Sequence, residues 1–288
     1  MHLDRRSFLC ATGGAAVATA LGGRAALWGA QPLRANDIVY LGPDKVKLSR
    51  LAMGTGTVGG GLQRKLGVEG LADYLQFGTD QGIIYWDTAD AYKTHPHVKE
   101  ALKRVPREKV AIMTKTRART AEEMKAALDR YRLETGSDYF DILLLHAVTS
   151  PTWPQEAQGA MEVLAEAREK GIVRTHGLSC HSLGALQTAV QTPWVRVVLA
   201  RINPAQLRMD GTPDTILSVL RDFKKAGKGV IGMKILGEGD LRDKVDDSLR
   251  FALSQDCIDC FTIGAANRDE LTDLMKRIPA VSQAAKAA

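Results

Sequence analysis

Eight short runs rich in valine, isoleucine and leucine recur from residue 50 onward, separated by stretches with helical periodicity. Apolar runs of this length between amphipathic stretches are typical of repeated strand–helix units. Because the runs are apolar almost throughout, both faces of each strand are expected to be buried, which favours a parallel sheet covered by helices. The predicted strands are Leu51–Met53, Ile83–Trp86, Val110–Thr114, Phe140–Leu145, Ile172–Leu178, Val195–Ile202, Val230–Leu236 and Ile258–Ile263.

Eight such units predict an α/β fold of the closed (β/α)8 TIM barrel type in a single domain, with an open doubly wound sheet as the alternative. No Gly-x-Gly-x-x-Gly sequence leads from a predicted strand into a helix, which weakens that alternative. The glycine-rich segment 54–61 opens no obvious helix, so it is a poor candidate for a phosphate loop. One predicted helix has explicit ends, because Thr120 and Glu123 form a capping-box pattern and Gly136 follows the last turn.

The first 35 residues differ from the rest and predict an export signal. Arg5 and Arg6 precede a weakly apolar run rich in glycine and alanine. An arginine pair before such a run favours the twin-arginine route, which predicts a protein that is periplasmic or otherwise exported. Arg24 interrupts the run before it reaches the ~20 residues that span a bilayer, and this disfavours a membrane anchor. We therefore predict a signal segment over residues 1–35 and a barrel over residues 36–288.

The charge distribution argues against nucleic-acid binding. The formal net charge is +6, but the first 35 residues carry four arginines and one aspartate, which leaves +3 for the predicted barrel. The basic residues of the barrel are scattered, so no nucleic-acid partner is expected. Contact with a membrane is expected only during export or through an uncleaved signal. Four cysteines are too few and too uneven for a disulfide framework, and we predict Cys257 and Cys260 to be packed thiols.

Polar side chains stand where three neighbouring strands of the predicted barrel end. Asp87 follows the second strand and Tyr92 lies in the loop after it, while Lys115 ends the third strand and His146 the fourth. Active-site groups of β/α barrels come from the carboxyl ends of the strands. Taken singly, each residue has a plain structural explanation, as a turn cap, a loop aromatic, an ion-pair partner or a packed histidine. Taken together, the four predict one active site.

Four motifs surround these residues, and in this order they resemble the aldo-keto reductases: GIIYWDTADAY at 82–92, MTKT at 113–116, DILLLH at 141–146 and GIVRTHGLS at 171–179. The resemblance implies a barrel oxidoreductase that reduces an aldehyde or ketone to an alcohol with NAD(P)H, or runs the reverse reaction. It assigns the family's catalytic tetrad to Asp87, Tyr92, Lys115 and His146. No metal is implied, and we expect the His-Pro-His sequence at 95–97 to start a helix or line the substrate loop.

Carbonyl reduction explains why these residue types are needed. The carbonyl must gain a hydride at carbon and a proton at oxygen, and Tyr92 is expected to supply the proton. A free phenol has a pKa of about 10, so a nearby ammonium group such as that of Lys115 helps by stabilising the phenolate. Asp87 would fix and neutralise the lysine, and His146 would hydrogen-bond and orient the substrate oxygen.

The resemblance also implies three groups of cofactor-binding residues. They are Gly54, Thr55, Ser179 and Asn203 at the nicotinamide end, Lys234, Leu236, Gly237 and Gly239 along the pyrophosphate, and Gly264, Asn267 and Arg268 at the adenosine end. Backbone amides of glycines and helix starts can bind phosphate, which is the physical basis of this placement.

Several positions depart from the common pattern of the family. Cys180, Leu199 and Met233 stand where an asparagine, a glutamine and an aromatic residue are common. Glu270 stands where many members carry an arginine for the 2′-phosphate, which leaves Arg268 as the nearest substitute. On this basis NADP(H) is favoured slightly over NAD(H).

Two other functions stay open from the sequence. A lysine at a barrel strand end is also the nucleophile of Schiff-base aldolases, and Lys115 could serve in that way. A cofactor-binding sensor or regulatory barrel would keep the tetrad and turn over little. In each enzymatic case the partner is a small-molecule carbonyl or alcohol.

Overall fold

The computed structural model describes residues 31–287 and contains a closed barrel of eight parallel strands. Each barrel strand pairs with its neighbours in the sequence, and the last pairs with the first. The predicted (β/α)8 barrel is confirmed, with every predicted strand present. The strands are β1 Ile38–Leu41 and β2 Val46–Ser49, which form a separate antiparallel hairpin, and the barrel strands β3 Leu51–Gly54, β4 Tyr85–Asp87, β5 Ala111–Thr116, β6 Phe140–Val148, β7 Val173–Cys180, β8 Val197–Arg201, β9 Gly229–Met233 and β10 Cys260–Ile263.

Helices connect the barrel strands. The predicted capping box is present, since the Glu123 amide donates to Thr120 Oγ1 at 3.2 Å and the Glu123 carboxylate accepts from the Thr120 amide at 3.1 Å. Gly136 ends the same helix with φ 64°. The helices are α1 Gly61–Arg64, α2 Gly67–Asp80, α3 His95–Leu102, α4 Ala121–Thr135, α5 Trp153–Glu156, α6 Gln158–Glu169, α7 Leu183–Gln191, α8 Pro213–Lys225, α9 Val245–Leu253 and α10 Arg268–Ala287.

The barrel strands bury apolar side chains on both faces, because successive residues of a strand point to opposite sides. One cluster, which includes Tyr85, Leu144 and Leu199, fills the inside of the barrel. Leu41 and Leu48 of the β1–β2 hairpin belong to this inner cluster. A larger cluster lies between the strands and the surrounding helices. The barrel is therefore packed, and chemistry is left to the loops at the carboxyl ends of its strands.

Some predicted boundaries are wrong by a few residues. β9 ends at Met233 rather than Leu236, because Lys234 takes a left-handed conformation with φ 59°. The glycine-rich segment 54–61 does lead into a helix, contrary to expectation, since α1 begins at Gly61. With four residues, α1 is too short to offer a strong N-terminal dipole, so the segment stays a poor phosphate site.

Two smaller predictions are also confirmed. α3 begins at His95, whose ring nitrogens lie 2.8 Å from Glu134 Oε2 and 2.8 Å from Thr114 Oγ1. Cys257 and Cys260 are buried free thiols. Among the described residues, no helix is both long and apolar enough to cross a membrane.

The predicted export signal falls mostly on residues 1–30, which lie outside the described residues. The residues just after them already pack on the barrel. Ala35 is buried, and its carbonyl accepts a hydrogen bond of 2.9 Å from the Leu51 amide at the start of β3.

Candidate active site

The carboxyl ends of three adjacent strands bring the four predicted catalytic residues together. Asp87 is the last residue of β4, and Tyr92 ends a 3₁₀ turn that follows it. Lys115 lies near the end of β5, paired in register with Leu144 of β6, and His146 follows two residues later. Parallel pairing in this register places all four side chains at the same mouth of the barrel.

Lys115 is the centre of this group and is completely buried. Its ammonium nitrogen donates to the Asp87 carboxylate, to Thr88 O at 2.9 Å and to Tyr92 Oη at 3.4 Å. The same nitrogen lies 4.7 Å from the centre of the Tyr92 ring. Lys115 therefore links the carboxylate of Asp87, which neutralises its charge, to the phenol of Tyr92, whose pKa that charge lowers.

Thr262 of β10 is a further member of this group that the sequence interpretation missed. Its hydroxyl donates to Asp87 Oδ2 at 2.7 Å, while the other carboxylate oxygen receives Lys115. Both oxygens of Asp87 are thus held, one by a side chain of β10 and the other by a side chain of β5. Thr262 is a positioning residue, because it acts through the carboxylate of Asp87.

A local irregularity of β6 orients His146. The pairing of β6 with β7 shifts register between Leu145 and Val148, and Ala147 takes a left-handed φ of 53°. The Ala147 amide donates to Ser179 Oγ at 2.8 Å, and the His146 carbonyl accepts from Arg119 Nη2 at 3.2 Å. As a result the imidazole stands edge-on to Tyr92, with ring centres 5.6 Å apart and planes at 86°.

Two glycines of the segment 54–61 shape the space around Tyr92. A Cβ at Gly56 would lie 2.4 Å from the Tyr92 ring, and a Cβ at Gly60 would lie 2.5 Å from the Tyr92 carbonyl. Gly60 also has a φ of 85°, which side chains rarely adopt. The segment therefore serves to let the β3–α1 loop close on the tyrosine, a role that needs no bound phosphate.

Electrostatics sets the protonation of the site at neutral pH. Burial raises the pKa of Tyr92, although the positive charge of Lys115 opposes this rise, so the tyrosine carries its proton. Burial lowers the pKa of Lys115, but Asp87 and Tyr92 outweigh it and the net shift is upward. Burial, with Lys115 and His181 adding to it, lowers the pKa of His146 to about 3. The site thus contains a phenol, an ammonium and a neutral imidazole.

A small open cleft of about 120 Å³ lies directly beside the tetrad, with Asp87 and Tyr92 in its wall. Leu199 and Met233 line it with apolar surface next to Tyr92, and Gly54 and Gly264 leave its wall without side chains. A Cβ on Gly264 would lie 2.1 Å from Thr57 Oγ1, so this wall admits no larger residue. Flat glycine backbone and apolar surface beside a proton donor suit a planar nicotinamide ring.

Four of the predicted cofactor residues line this cleft, namely Gly54, Lys234, Leu236 and Gly264. Lys234 brings a positive charge suited to a pyrophosphate, and in the structure its ammonium lies 2.9 Å from Glu238 Oε2. Glu238 also lines the cleft and was not identified from the sequence. These residues fit the nicotinamide and pyrophosphate portions of a dinucleotide.

The side chains of two other predicted cofactor residues form hydrogen bonds with the backbone of the protein itself. Thr55 is buried and donates to the Asp87 carbonyl at 2.9 Å. Asn203 donates to the carbonyls of Leu207 (2.8 Å) and Lys234 (3.2 Å), and its side-chain oxygen accepts the amides of Ala205 and Leu207 (both 3.1 Å). Both amide hydrogens of Asn203 are therefore engaged, and its role in this structure is to hold the loop of Lys234.

The remaining predicted cofactor residues lie at the outer loops. Gly237 and Gly239 bound a 3₁₀ turn after β9, with positive φ values of 57° and 104°. Asn267 caps α10 by accepting the Glu270 amide at 2.9 Å. Arg268 is exposed, donates to the Asp73 carbonyl at 3.2 Å and lies over the Phe77 ring at 5.3 Å.

A buried phenol, ammonium and carboxylate beside an open cleft, at the mouth of a parallel barrel, form the kind of site expected of a barrel oxidoreductase. The model of the Aldo/keto reductase family matches residues 50–278. The chain belongs to the aldo/keto reductase family, whose members are oxidoreductases that reduce carbonyl compounds with NAD(P)H.

The sequence identity between this chain and individual relatives is low. The chain is similar to the aldo-keto reductase YhdN of Bacillus subtilis, with 30% identity over 168 residues, covering 50% of this chain and 46% of YhdN. It is 27% identical over 217 residues to the NADH-specific methylglyoxal reductase of Escherichia coli, covering 64% of this chain and 63% of that protein. The matches thus span about half to two thirds of these relatives.

Similarity in structure extends further than similarity in sequence. The aldo-keto reductase AKR11C1 of Bacillus halodurans, in its holo form, superposes with a TM-score of 0.70 at 16% identity. The superposition covers 87% of this chain and 95% of that one. At this identity the likeness concerns the fold alone.

Proposed function

We propose that this chain catalyses the NAD(P)H-dependent reduction of an aldehyde or ketone to an alcohol, or the reverse, with Tyr92 as general acid. The observation that carries the proposal is the position of Lys115, whose ammonium nitrogen lies 3.4 Å from Tyr92 Oη while it is bonded to Asp87. A phenol next to an ammonium group that its surroundings keep charged is suited to give up its proton in a transition state.

Each residue of the tetrad has a separate role in the proton transfer to the carbonyl oxygen. Tyr92 transfers its proton to the carbonyl oxygen as negative charge develops there, and the charge left on the phenolate is stabilised by Lys115. Asp87, held by Thr262, keeps the lysine charged and in place. His146, as a neutral imidazole, donates one N–H to the same oxygen and orients it.

Bound NAD(P)H supplies the hydride that the carbonyl carbon receives. Gly54, Leu199 and Met233 are the residues that would hold its nicotinamide against the tetrad. Lys234 and the turn at 237–239 would hold the pyrophosphate.

The raised pKa of Lys115 also weighs against the Schiff-base aldolase. An amine must be neutral to attack a carbonyl, but Asp87 and Tyr92 favour the charged form of this lysine despite its burial. Steady-state oxidation of NAD(P)H that depends on an added aldehyde is the direct test of the reductase. Cofactor binding without such turnover would instead favour the sensor or regulatory barrel.

For the cofactor, we propose that NADP(H) is preferred through Arg268 and that Glu270 opposes this preference. The Glu270 carboxylate accepts the Ala266 amide at 2.7 Å, so it occupies a backbone donor at the start of α10 and repels a 2′-phosphate there. Arg268→Ala should weaken NADPH binding about tenfold more than NADH binding, and Glu270→Gln should shift the ratio the other way.

Fluorescence titration of each variant with both cofactors measures this ratio. Asp269→Asn is the matched control for Glu270→Gln, because Asp269 is an exposed neighbour of the same sign. Equal losses for the two cofactors in Arg268→Ala would contradict the assignment of Arg268.

We also propose that residues 1–35 direct export of the folded protein by the twin-arginine route to the periplasm. Replacing Arg5 and Arg6 with lysine should keep the protein in the cytoplasm, because the route depends on the arginine pair. Cell fractionation of the full chain measures the distribution, with Arg24→Lys as the control. Unchanged export of the double variant would remove the twin-arginine proposal.

A further inference from the structure

Two arginines stand at the mouth of the barrel directly after Lys115. β5 ends at Thr116, Arg117 is the next residue, and Arg119 lies two residues before the start of α4. Arg117 is exposed and makes no hydrogen bond or ion pair within the part of the chain that the structure describes. Its guanidinium is therefore without a partner among the described residues, and its charge acts on the imidazole of His146.

Arg119 is half-buried and is fixed beside the catalytic histidine. Its guanidinium donates to the Ala118 carbonyl at 3.0 Å and to the His146 carbonyl at 3.2 Å. No carboxylate of residues 31–283 forms an ion pair with it. Burial lowers its pKa, although a guanidinium stays charged in proteins. The charges of Glu156 and Glu123 oppose this shift, but neither carboxylate lies within ion-pair distance of the guanidinium. An anion bound directly beside this half-buried cation would therefore offset part of its burial cost.

The carboxylates near this mouth of the barrel already accept hydrogen bonds or form ion pairs within the protein. Glu123 accepts the amides of Arg119 and Thr120, and Glu156 accepts the hydroxyl of Thr152 at 2.7 Å. The other carboxylates pair with neighbouring cations: Asp87 with Lys115, Asp90 with Arg130, Asp210 with Arg201, and Glu238 with Lys234.

The unpaired positive charges lie close to the reacting groups. Lys93 directly follows Tyr92, is exposed, and makes no ion pair among the described residues. The charges of Arg117 and Arg119 are both near enough to the His146 imidazole to disfavour its protonation, after the larger effects of burial, Lys115 and His181. The tetrad thus faces a mouth with an excess of cations.

We propose that the substrate is an anionic carbonyl compound, an aldehyde or ketone whose carboxylate or phosphate binds Arg117 and Arg119 while its carbonyl oxygen meets Tyr92 and His146. This inference rests on the proposed reductase function. Guanidinium groups match carboxylates and phosphates through paired hydrogen bonds. The carbonyl carbon gains a hydride from NAD(P)H and its oxygen gains the proton of Tyr92, so the anionic group is unchanged.

The test compares substrates that differ in charge and little else. One pair is 4-carboxybenzaldehyde and its neutral methyl ester, and a second is glyceraldehyde 3-phosphate and glyceraldehyde. The two pairs separate carboxylate from phosphate as the source of the anion. The measured quantity is the ratio of kcat/KM for the charged member to that for the neutral member. For at least one pair, we expect the wild-type ratio to be about ten or more.

Arg117→Gln should lower this ratio about tenfold, mainly through KM of the charged substrate. Arg119→Gln should lower it as well. If Arg119 served only to hold the His146 carbonyl, its loss would slow both members equally and leave the ratio unchanged. Arg221→Gln, on the exposed surface of α8, is the matched control and should leave the ratio at its wild-type value.

The outcomes separate this inference from the reductase proposal. Turnover of the neutral members with no preference for the charged ones, or a ratio insensitive to Arg117→Gln, would overturn the anionic substrate while the reductase stands. Absence of turnover with all four compounds and both cofactors would overturn both.

Discussion

Tyr92→Phe should lower turnover by about 10²-fold or more, the scale typical of general acid–base catalysis. The substitution keeps the aromatic ring that packs against Gly56 and the lysine, and it removes only the hydroxyl. That hydroxyl carries the proton the carbonyl oxygen must receive, because burial keeps the pKa of Tyr92 above its ordinary value. The loss should therefore appear in kcat, with folding and cofactor binding nearly intact.

Three measurements on the variant test this expectation: kcat with one aldehyde, the NADPH dissociation constant and the melting temperature. Tyr40→Phe is a matched control, since Tyr40 lies on the β1–β2 hairpin, is 60% exposed and is far along the chain from the tetrad. A wild-type rate for Tyr92→Phe would remove the tyrosine from its role as acid.

The sequence predicted the tetrad through the family's motifs and because Asp87, Lys115 and His146 stand at or next to the end of an apolar run. Parallel pairing turns such ends into neighbours, so Asp87, Lys115 and His146 could be placed together without coordinates. The hairpin β1–β2 was not predicted, since strands of four residues outside the repeat carry little periodic signal.

The residues that were missed act through contacts distant in sequence. Thr262 lies 175 positions from Asp87, and its bond follows from the pairing of β10 with β3. The available signal was a polar residue inside the last apolar run. Asn203 illustrates the opposite case, because asparagine readily bonds nearby backbone in loops, and here that use takes up the amide expected at the nicotinamide.

Lys115→Met should lower turnover about as much as Tyr92→Phe, by about 10²-fold or more. Without the ammonium, the phenolate left by proton transfer loses the charge that stabilises it. The substitution also leaves the buried Asp87 carboxylate with Thr262 as its remaining side-chain partner, and breaking a buried pair in this way costs about 3–5 kcal/mol of stability. Lys115→Met combined with Asp87→Asn removes both charges, so a folded protein with the same loss of rate would assign the effect to catalysis.

The double variant Tyr92→Phe with Lys115→Met should be little slower than either single variant. Groups that act as one unit are lost together, so their effects on turnover do not add.

An aldolase predicts another pattern, in which the lysine attacks the carbonyl itself and the phenol is dispensable. Turnover of each variant with the same aldehyde, and borohydride trapping of a covalent adduct, distinguish the two cases. A wild-type rate for Tyr92→Phe, an inactive Lys115→Met and a trapped adduct would replace the reductase by the lysine nucleophile. The ion pair of Lys115 with Asp87 predicts the non-additive result, because a lysine held as ammonium can support the tyrosine but cannot attack a carbonyl.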